Sequence, residues 1–378
     1  MPDYKIFSSD SHVSEPPDLW VKRLDTSLRF RAPRVETLER DGKMEDFFLY
    51  ENFPPHPVSV GLAAAGKDDK SKFEKAGRGY IDALPGGWDP VARLKDQDID
   101  GVDGEILHTT LGFRLFWMKD AALQRACFSV YNDWLTEFCS YAPDRLIGLP
   151  LISLYDIDLA CQELRRAAGM GLRGAMVWLS PPEGAPGYNS TVYDPFWATA
   201  QELEMPIVLH EITGGAESRL IINYWDEHSS LGWLTRHHEI ERTLGMLILS
   251  GVMERFPKLR FISAENHTDW VPLFLKRLDN AIRTRPSSFP TRLSMEPTDY
   301  FHRQVMVTYM NEPGTVDNRD IIGVENLAFA SDYPHNASTW PNSQVVVERD
   351  FNGVADDVRR KMTRDNALRV FGLAGVPA

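Results

Sequence analysis

Cysteine is scarce: Cys127, Cys139 and Cys161 are the only three in 378 residues, an odd count with no CxxC spacing. That excludes a disulfide scaffold and a cysteine-rich zinc site, and in stretches of helical periodicity such thiols are small buried hydrophobes. Cations are also short, with 41 Lys and Arg against 54 Asp and Glu and a formal charge of −13. Nucleic-acid binding draws much of its affinity from cations that displace counterions, so this balance disfavours a nucleic-acid partner and an acidic membrane surface. No run approaches the ~18 uninterrupted apolar residues of a membrane span, and MPDYKIFSSDSHV lacks a charged and then apolar leader. The expected location is the cytoplasm. A G-x-S-x-G nucleophile elbow is absent too. Gly169 to Gly174 fits G-x-G-x-x-G but follows a helical pattern and precedes an apolar run, the reverse of a dinucleotide fingerprint.

What is present is a core-forming composition, 43% hydrophobic and 11% aromatic. Eight short β-rich runs recur, each followed by a helix-length segment: YKIFSS from Tyr4, GEILHT from Gly104, LIGLPLI from Leu146, RGAMVWL from Arg173, PIVLHE from Pro206, RFISAE from Arg260, QVMVTY from Gln304 and LAFAS from Leu327. Between them, segments such as LQRACFSVYNDWLTEFCSYA and YDPFWATAQELEM repeat apolar residues at three and four. Strand and helix alternating eight times predict an α/β fold, a (β/α)8 TIM-like barrel, with 1–378 as one domain. Three segments depart from the rhythm. Residues 20–95 have no clean period and are expected as an insertion folding over one barrel end, a candidate lid; 213–256 is a helical excursion after the fifth strand; 354–373 reads as a closing helix.

A barrel of this kind does its chemistry at the C-terminal ends of its strands. Those ends carry Asp10 and His12, His108, His210 and Glu211, Glu265 and His267, and Asp332 with His335. The i, i+2 pairs Asp10/His12 and Glu265/His267 would share one side of an extended chain. Imidazoles and carboxylates gathered on one rim point to a divalent metal, Zn²⁺, Mn²⁺ or Fe²⁺. His237 and His238 open a polar helix and are expected to face solvent; His302 falls at the opposite barrel end, His56 in the insertion and His228 in a loop.

The motifs SSDSHV, PIVLHE and ASDYPH resemble the amidohydrolase superfamily, and with DSHVSEPPDLW, APDRLIGLPLI, FPKLRF and the stretch ending ENLAFASDYPH they resemble its amidohydrolase-2 branch, the aminocarboxymuconate semialdehyde decarboxylase-like enzymes. The resemblance implies metal ligands at Asp10, His12, His210 and Asp332. It places a proton-transferring His on the sixth strand, where this chain has Glu265, with His267 two residues on. It implies hydrolysis, with Asp332 taking a proton from water, or non-oxidative decarboxylation. The expected substrate is a mainly apolar small molecule bearing a carboxylate or carbonyl, against the aromatic residues Phe113, Phe116, Trp117 and Trp178. The surplus of ligand types leaves an alternative open. His108, Glu211, Glu265 and His267 could hold a second metal, and a dinuclear non-haem iron centre would allow monooxygenation of a hydrophobic acid or thioester in secondary metabolism. Exposed apolar faces on such barrels can also pair two copies as a homodimer.

Overall fold

Each of the eight runs becomes a parallel strand, and the strands form a ring. The computed structural model describes residues 4–40, 42–58, 62, 65–66, 79–182, 184–214, 234–285, 287 and 292–373. In chain order the strands are β1 (Ile6–His12), the peripheral β2 (Arg34–Arg40), β3 (Lys43–Leu49) and β4 (His56–Pro57), then β5 (Val102–His108), β6 (Leu146–Gly148), β7 (Ala175–Val177), β8 (Ile207–His210), β9 (Phe261–Ala264), β10 (Val305–Tyr309) and β11 (Leu327–Phe329). Parallel ladders join β1, β5 and β6, and separately β7 through β11. These strands are buried on both faces, which is why they read as apolar runs rather than alternating ones.

Two irregular seams close the ring. Between β6 and β7, Met176 N donates to Pro150 O at 2.9 Å and Ile152 N donates to Met176 O at 3.0 Å. Between β11 and β1 the bonds come partly from serine hydroxyls. Ser9 Oγ donates to Phe329 O at 2.8 Å, Ser331 N donates to Ser8 Oγ at 2.8 Å, and Asp332 N donates to Asp10 O at 3.0 Å. All seven residues of β1 are buried although five of them are polar, so those hydroxyls satisfy groups that water cannot reach.

Helices start where the sequence offers caps. Asp89 accepts from Val91 N, Asp120 from Leu123 N and Asp156 from Leu159 N, each an N-cap carboxylate on an orphan helical N–H. The G-x-G-x-x-G decoy is chain punctuation: Gly171 and Gly174 adopt φ of 91° and 77° to turn the chain from helix into β7. The three cysteines are buried and unpaired.

The 20–95 insertion, expected as a segment without clean period, holds regular structure. β2 and β3 pair antiparallel from Arg34 with Leu49 to Arg40 with Lys43, and β4 adds a third strand. The signal was in the sequence, because the pair Asp41-Gly42 between two β-rich runs is a hairpin signature, and Gly42 has φ of 77°. The insertion touches the rim: Tyr80 Oη donates to Glu15 O, and Ala65 N donates to Pro334 O at 3.2 Å. At the other end the C-terminal segment, helical over Asp356–Arg360 and Asn366–Val370 with a wider π turn over Lys361–Asp365, plugs the barrel floor. Its buried Arg364 donates to Lys5 O at 3.2 Å and to Asp103 Oδ2 at 2.9 Å.

A buried ion pair ties helix Pro90–Asp100 to the barrel. Arg93 Nε donates to Glu105 Oε2 at 2.6 Å, its Nη1 donates to His12 O at 2.7 Å, and its guanidinium lies 4.4 Å from the Tyr333 ring centre. Gln97 Nε2 donates to the same Glu105 oxygen at 2.7 Å. Removing one member would strand a buried charge. Arg93→Met is therefore expected to cost about 3–5 kcal/mol of unfolding free energy, and the Arg93→Met/Glu105→Gln pair clearly less than Arg93→Met alone; urea denaturation of the three proteins measures it.

The last residue of that helix, Asp100, caps helix Ser343–Asp350: Oδ1 accepts from Ser343 N at 2.8 Å and Oδ2 accepts from Ser343 Oγ at 2.5 Å. Burial outweighs these bonds and pushes its carboxyl up from 3.8 to about 6. The folded chain thus holds this proton more tightly than the unfolded chain, so the contribution is full below about pH 4 and lost as pH rises through 6. Asn at position 100 keeps the geometry without titrating. The stability of Asp100→Asn relative to the parent should rise by up to about 3 kcal/mol between pH 4 and pH 7, read from paired thermal melts.

Candidate metal centre

Five strand ends converge above the ring. β1 supplies Asp10 and His12, β5 His108 and β8 His210; Glu265 follows β9 directly, and Asp332 and His335 follow β11. His12 Nε2 stands 3.0 Å from Asp332 Oδ1 and 3.4 Å from Asp10 Oδ1. His108 Nδ1 is 3.2 Å from Asp10 Oδ1, and His210 Nε2 is 3.1 Å from Glu265 Oε2 and 3.9 Å from Asp10 Oδ2. His335 stacks on His12 with ring centres 3.8 Å apart and sets Nδ1 3.2 Å from Asp332 Oδ1.

The polarity of these contacts is the informative part. His12 Nδ1 lies 2.9 Å from Thr109 O, a carbonyl that can only accept, so in the neutral ring Nδ1 carries the proton and Nε2 turns a lone pair toward the carboxylates. Lone pairs thus face lone pairs. Both Asp10 oxygens, His12 Nε2, both His210 nitrogens and both Asp332 oxygens are buried without a hydrogen-bond partner among the described residues. Burial, then the neighbouring rings of His210 and His12, holds His108 well below the ordinary imidazole range. Burial and the ring of His12 do the same to His210. Burial, then Glu265 and Asp332, drives the Asp10 carboxyl well upward, and burial with Asp332 raises Glu265. Burial pushes up on Asp332 as well, but the rings of His335 and His12 outweigh it and hold this carboxyl below its ordinary value. Neutral imidazoles and crowded carboxylates aimed at a common space form a donor set that a divalent cation relieves. Donor triads Asp10/His108/His210, His12/His210/Glu265 and His12/Asp332/His335 each have ligand atoms within 4.8 Å of one another.

Glu265 and His267, expected on one side of the chain, part company. β9 ends at Ala264, and the backbone then turns left-handed, with φ of 56° at Glu265 and 58° at His267. Glu265 enters the cluster with its N–H donating to Thr308 Oγ1 at 3.1 Å. His267 swings out: its side chain is 42% exposed, Nδ1 is 3.1 Å from Glu312 Oε1, and Arg236 donates to Nε2. Glu211 also stands outside the cluster, where the Arg236 guanidinium grips both its oxygens, at 3.0 and 2.9 Å. Asp332 is the third left-handed residue of the rim, with φ of 54°. Such backbone costs on the order of 1–2 kcal/mol per side-chain-bearing residue and collects at working sites.

The four aromatic residues take two roles. Phe113 packs on the cluster itself, its ring centre 4.3 Å from His210 and 5.6 Å from His12. Phe116, Trp117 and Trp178 are buried behind it; Trp178 Nε1 donates to Phe116 O at 2.8 Å and Trp117 Nε1 donates to Gly214 O at 3.1 Å. His237 and His238 form a separate surface group with Glu241, and His56 accepts from Arg114 Nη2 at 2.7 Å above the rim. His228 lies outside the described residues.

Several supporting residues carried no sequence signal. Arg93 holds His12 by its carbonyl. Glu15, fully buried, accepts from Leu111 N at 2.9 Å, Gly112 N at 3.0 Å and Thr109 Oγ1, and so fixes the turn that carries Phe113. His335 appeared among the strand-end residues, but nothing local showed that its ring would stack on a residue from β1.

The fold and site have known counterparts. A family model described as Amidohydrolase matches residues 56–373, so β1 with Asp10 and His12 lies outside the matched segment. A gamma-resorcylate decarboxylase of Rhizobium radiobacter is 29% identical over 261 residues, covering 65% of this chain and 75% of that protein. An amidohydrolase from Mycobacterium avium subsp. paratuberculosis superposes with a TM-score of 0.78 at 25% identity, covering 98% of this chain and 100% of the other. A dihydroxybenzoic acid decarboxylase of Polaromonas, solved with bound manganese and 2-nitroresorcinol, shares the fold at a TM-score of 0.65 and 19% identity, with 98% of this chain and 97% of the other covered. The matched segment spans most of the chain, and the chain therefore belongs to this amidohydrolase family.

Proposed function

We propose that this chain is a metal-dependent, non-oxidative decarboxylase of a small aromatic carboxylic acid, with Asp10, His12, His210 and Asp332 holding one divalent ion. The observation that carries the reading is the buried set of lone pairs with no donor to meet them, gathered where this fold does chemistry. The relatives named decarboxylases support the reaction class, and manganese in one of their structures supports a divalent ion. When bound, such an ion would supply Lewis-acid charge for the substrate's carboxylate and neighbouring oxygen.

The chain's own residues supply the rest. Asp332, its carboxyl held below the ordinary value, anchors negative charge at the end of β11. Glu265 reaches in from the end of β9, its carboxyl raised by burial so that it keeps a proton at higher pH than an exposed carboxyl. It is placed to hand that proton to the ring carbon as the bond to the departing CO₂ breaks, which balances the reaction. Phe113 offers a flat apolar face beside His210 for an aromatic ring, and the aromatic residues behind it exclude water. His267, turned toward Glu312 and Arg236, serves from outside the cluster. The insertion over 20–95, touching the rim through Tyr80 and Ala65, is read as a cover for the site.

One observation favours a second reading. After four ligands are assigned, His108, Glu265 and His335 still bring donor atoms into the same space. That surplus suits a dinuclear centre, which would serve hydrolysis, or with iron oxygenation. None of the relatives described above is an oxygenase.

Elemental analysis and turnover of a hydroxybenzoate panel separate these readings. One Mn or Zn per chain with CO₂ released from a substrate fits the proposal, whereas two Fe per chain with O₂ consumed replaces it. Asp332→Asn is expected to lose bound metal and activity together; intact metal and activity would remove Asp332 from the site. Glu265→Gln should retain the metal and lower kcat by about 10²–10⁴, the range for losing a general acid.

A further inference from the structure

The barrel end opposite the metal centre has a charge pattern that runs against the rest of the chain. A small solvent-open cavity lies there, lined by Arg260, His302, Gln304, Val305, Asn326 and Arg369 among others. Arg260 directly precedes β9, Val305 opens β10 and Asn326 directly precedes β11, so the cavity sits beneath the N-terminal ends of three neighbouring strands. β10 is five residues long, and at about 3.3 Å per residue some 15 Å of strand separates this cavity from the rim.

Its cations are not spent on the protein. The Arg260 guanidinium, half-buried, makes no hydrogen bond or ion pair among the described residues. Arg369 donates one bond, from Nη2 to Glu325 O at 2.8 Å, and retains its other donors. The one carboxylate at the wall, Glu325, is drawn away by Lys361 Nζ at 2.8 Å. Nearby Arg303 is occupied by Met253 O and Gln304 Oε1, each at 2.7 Å, and adds positive field without offering itself as a ligand. In a chain of net charge −13, two available guanidinium groups facing one small cavity are held together against their repulsion. Burial, then the nearby Arg369 and Arg303, pushes the Arg260 guanidinium below its ordinary value, the same repulsion seen from the proton's side.

We propose that this basal cavity is an oxyanion site, anchored by Arg260 and Arg369, for a phosphate-class anion, either free or as the end group of a larger metabolite. Planar forks of N–H donors match a tetrahedral oxyanion, and an anion between them turns repulsion into two charge-assisted contacts.

Calorimetric titration of the protein as purified, at constant ionic strength with chloride as reference, tests this with inorganic phosphate and glycerol phosphate. Saturable binding of one ion per chain is expected, weakened roughly tenfold or more by Arg260→Gln and by Arg369→Gln. Arg260→Gln should melt at or above the parent temperature without ligand, since it removes a repulsion, so lost binding is not lost folding. Tighter binding of glycerol phosphate than of phosphate assigns the site to an end group, and comparable binding assigns it to the free ion. Absence of saturable binding by both probes, or binding that Arg260→Gln leaves unchanged, overturns the proposal.

Discussion

The metal centre hangs on the seam between the first and last barrel strands. Asp332 N donates to Asp10 O and His12 N to Tyr333 O, and these backbone bonds hold together two carboxylates that are 322 residues apart in sequence and would otherwise repel each other. The seam is no ordinary ladder. Serine side chains at 8, 9, 11 and 331 carry much of the bonding, which lets β1 depart from regular register between Ser8 and Ser11 just where it presents Asp10 and His12. The irregularity puts both ligand types on the inside of the rim.

Closing the ring this way costs free energy that must be offset elsewhere. Asp10, Glu265 and Asp332 are carboxylates withdrawn from water and facing imidazole lone pairs, and two of the three, Glu265 and Asp332, sit on left-handed backbone. The supports come from outside the cluster. Arg93, neutralised by Glu105, holds the His12 carbonyl and stacks on Tyr333, so it braces both sides of the seam at once. Glu15 gathers the N–H groups of the turn after β5 and thereby holds Phe113 over His12 and His210. With these braces the donors stay aimed at one space, where a divalent ion would supply the charge that the protein withholds.

The two barrel ends divide their charge. The C-terminal rim concentrates carboxylates and neutral imidazoles, while the floor beneath β9, β10 and β11 concentrates guanidinium groups. Strands link the two ends, but their lengths keep the two ionic environments apart.

The sequence by itself determined the eight strands, because a parallel sheet buried on both faces must be written as short apolar runs bounded by turns, and it determined which residues end those strands. It also contained the Asp41-Gly42 hairpin signal, overlooked amid the charged stretches of the insertion. Tertiary structure alone decided which strand-end residues meet. Glu265 and His267 share a spacing that would align them on a strand, yet β9 stops at Ala264 and left-handed backbone sends one inward and the other toward Glu312. His335, Arg93 and Glu15 each gain their place from a partner 80 or more residues away: His12, the His12 carbonyl, and the turn at 109–112. Local periodicity reports which face of an element is buried; which distant charge shares that burial is set only when the ring closes.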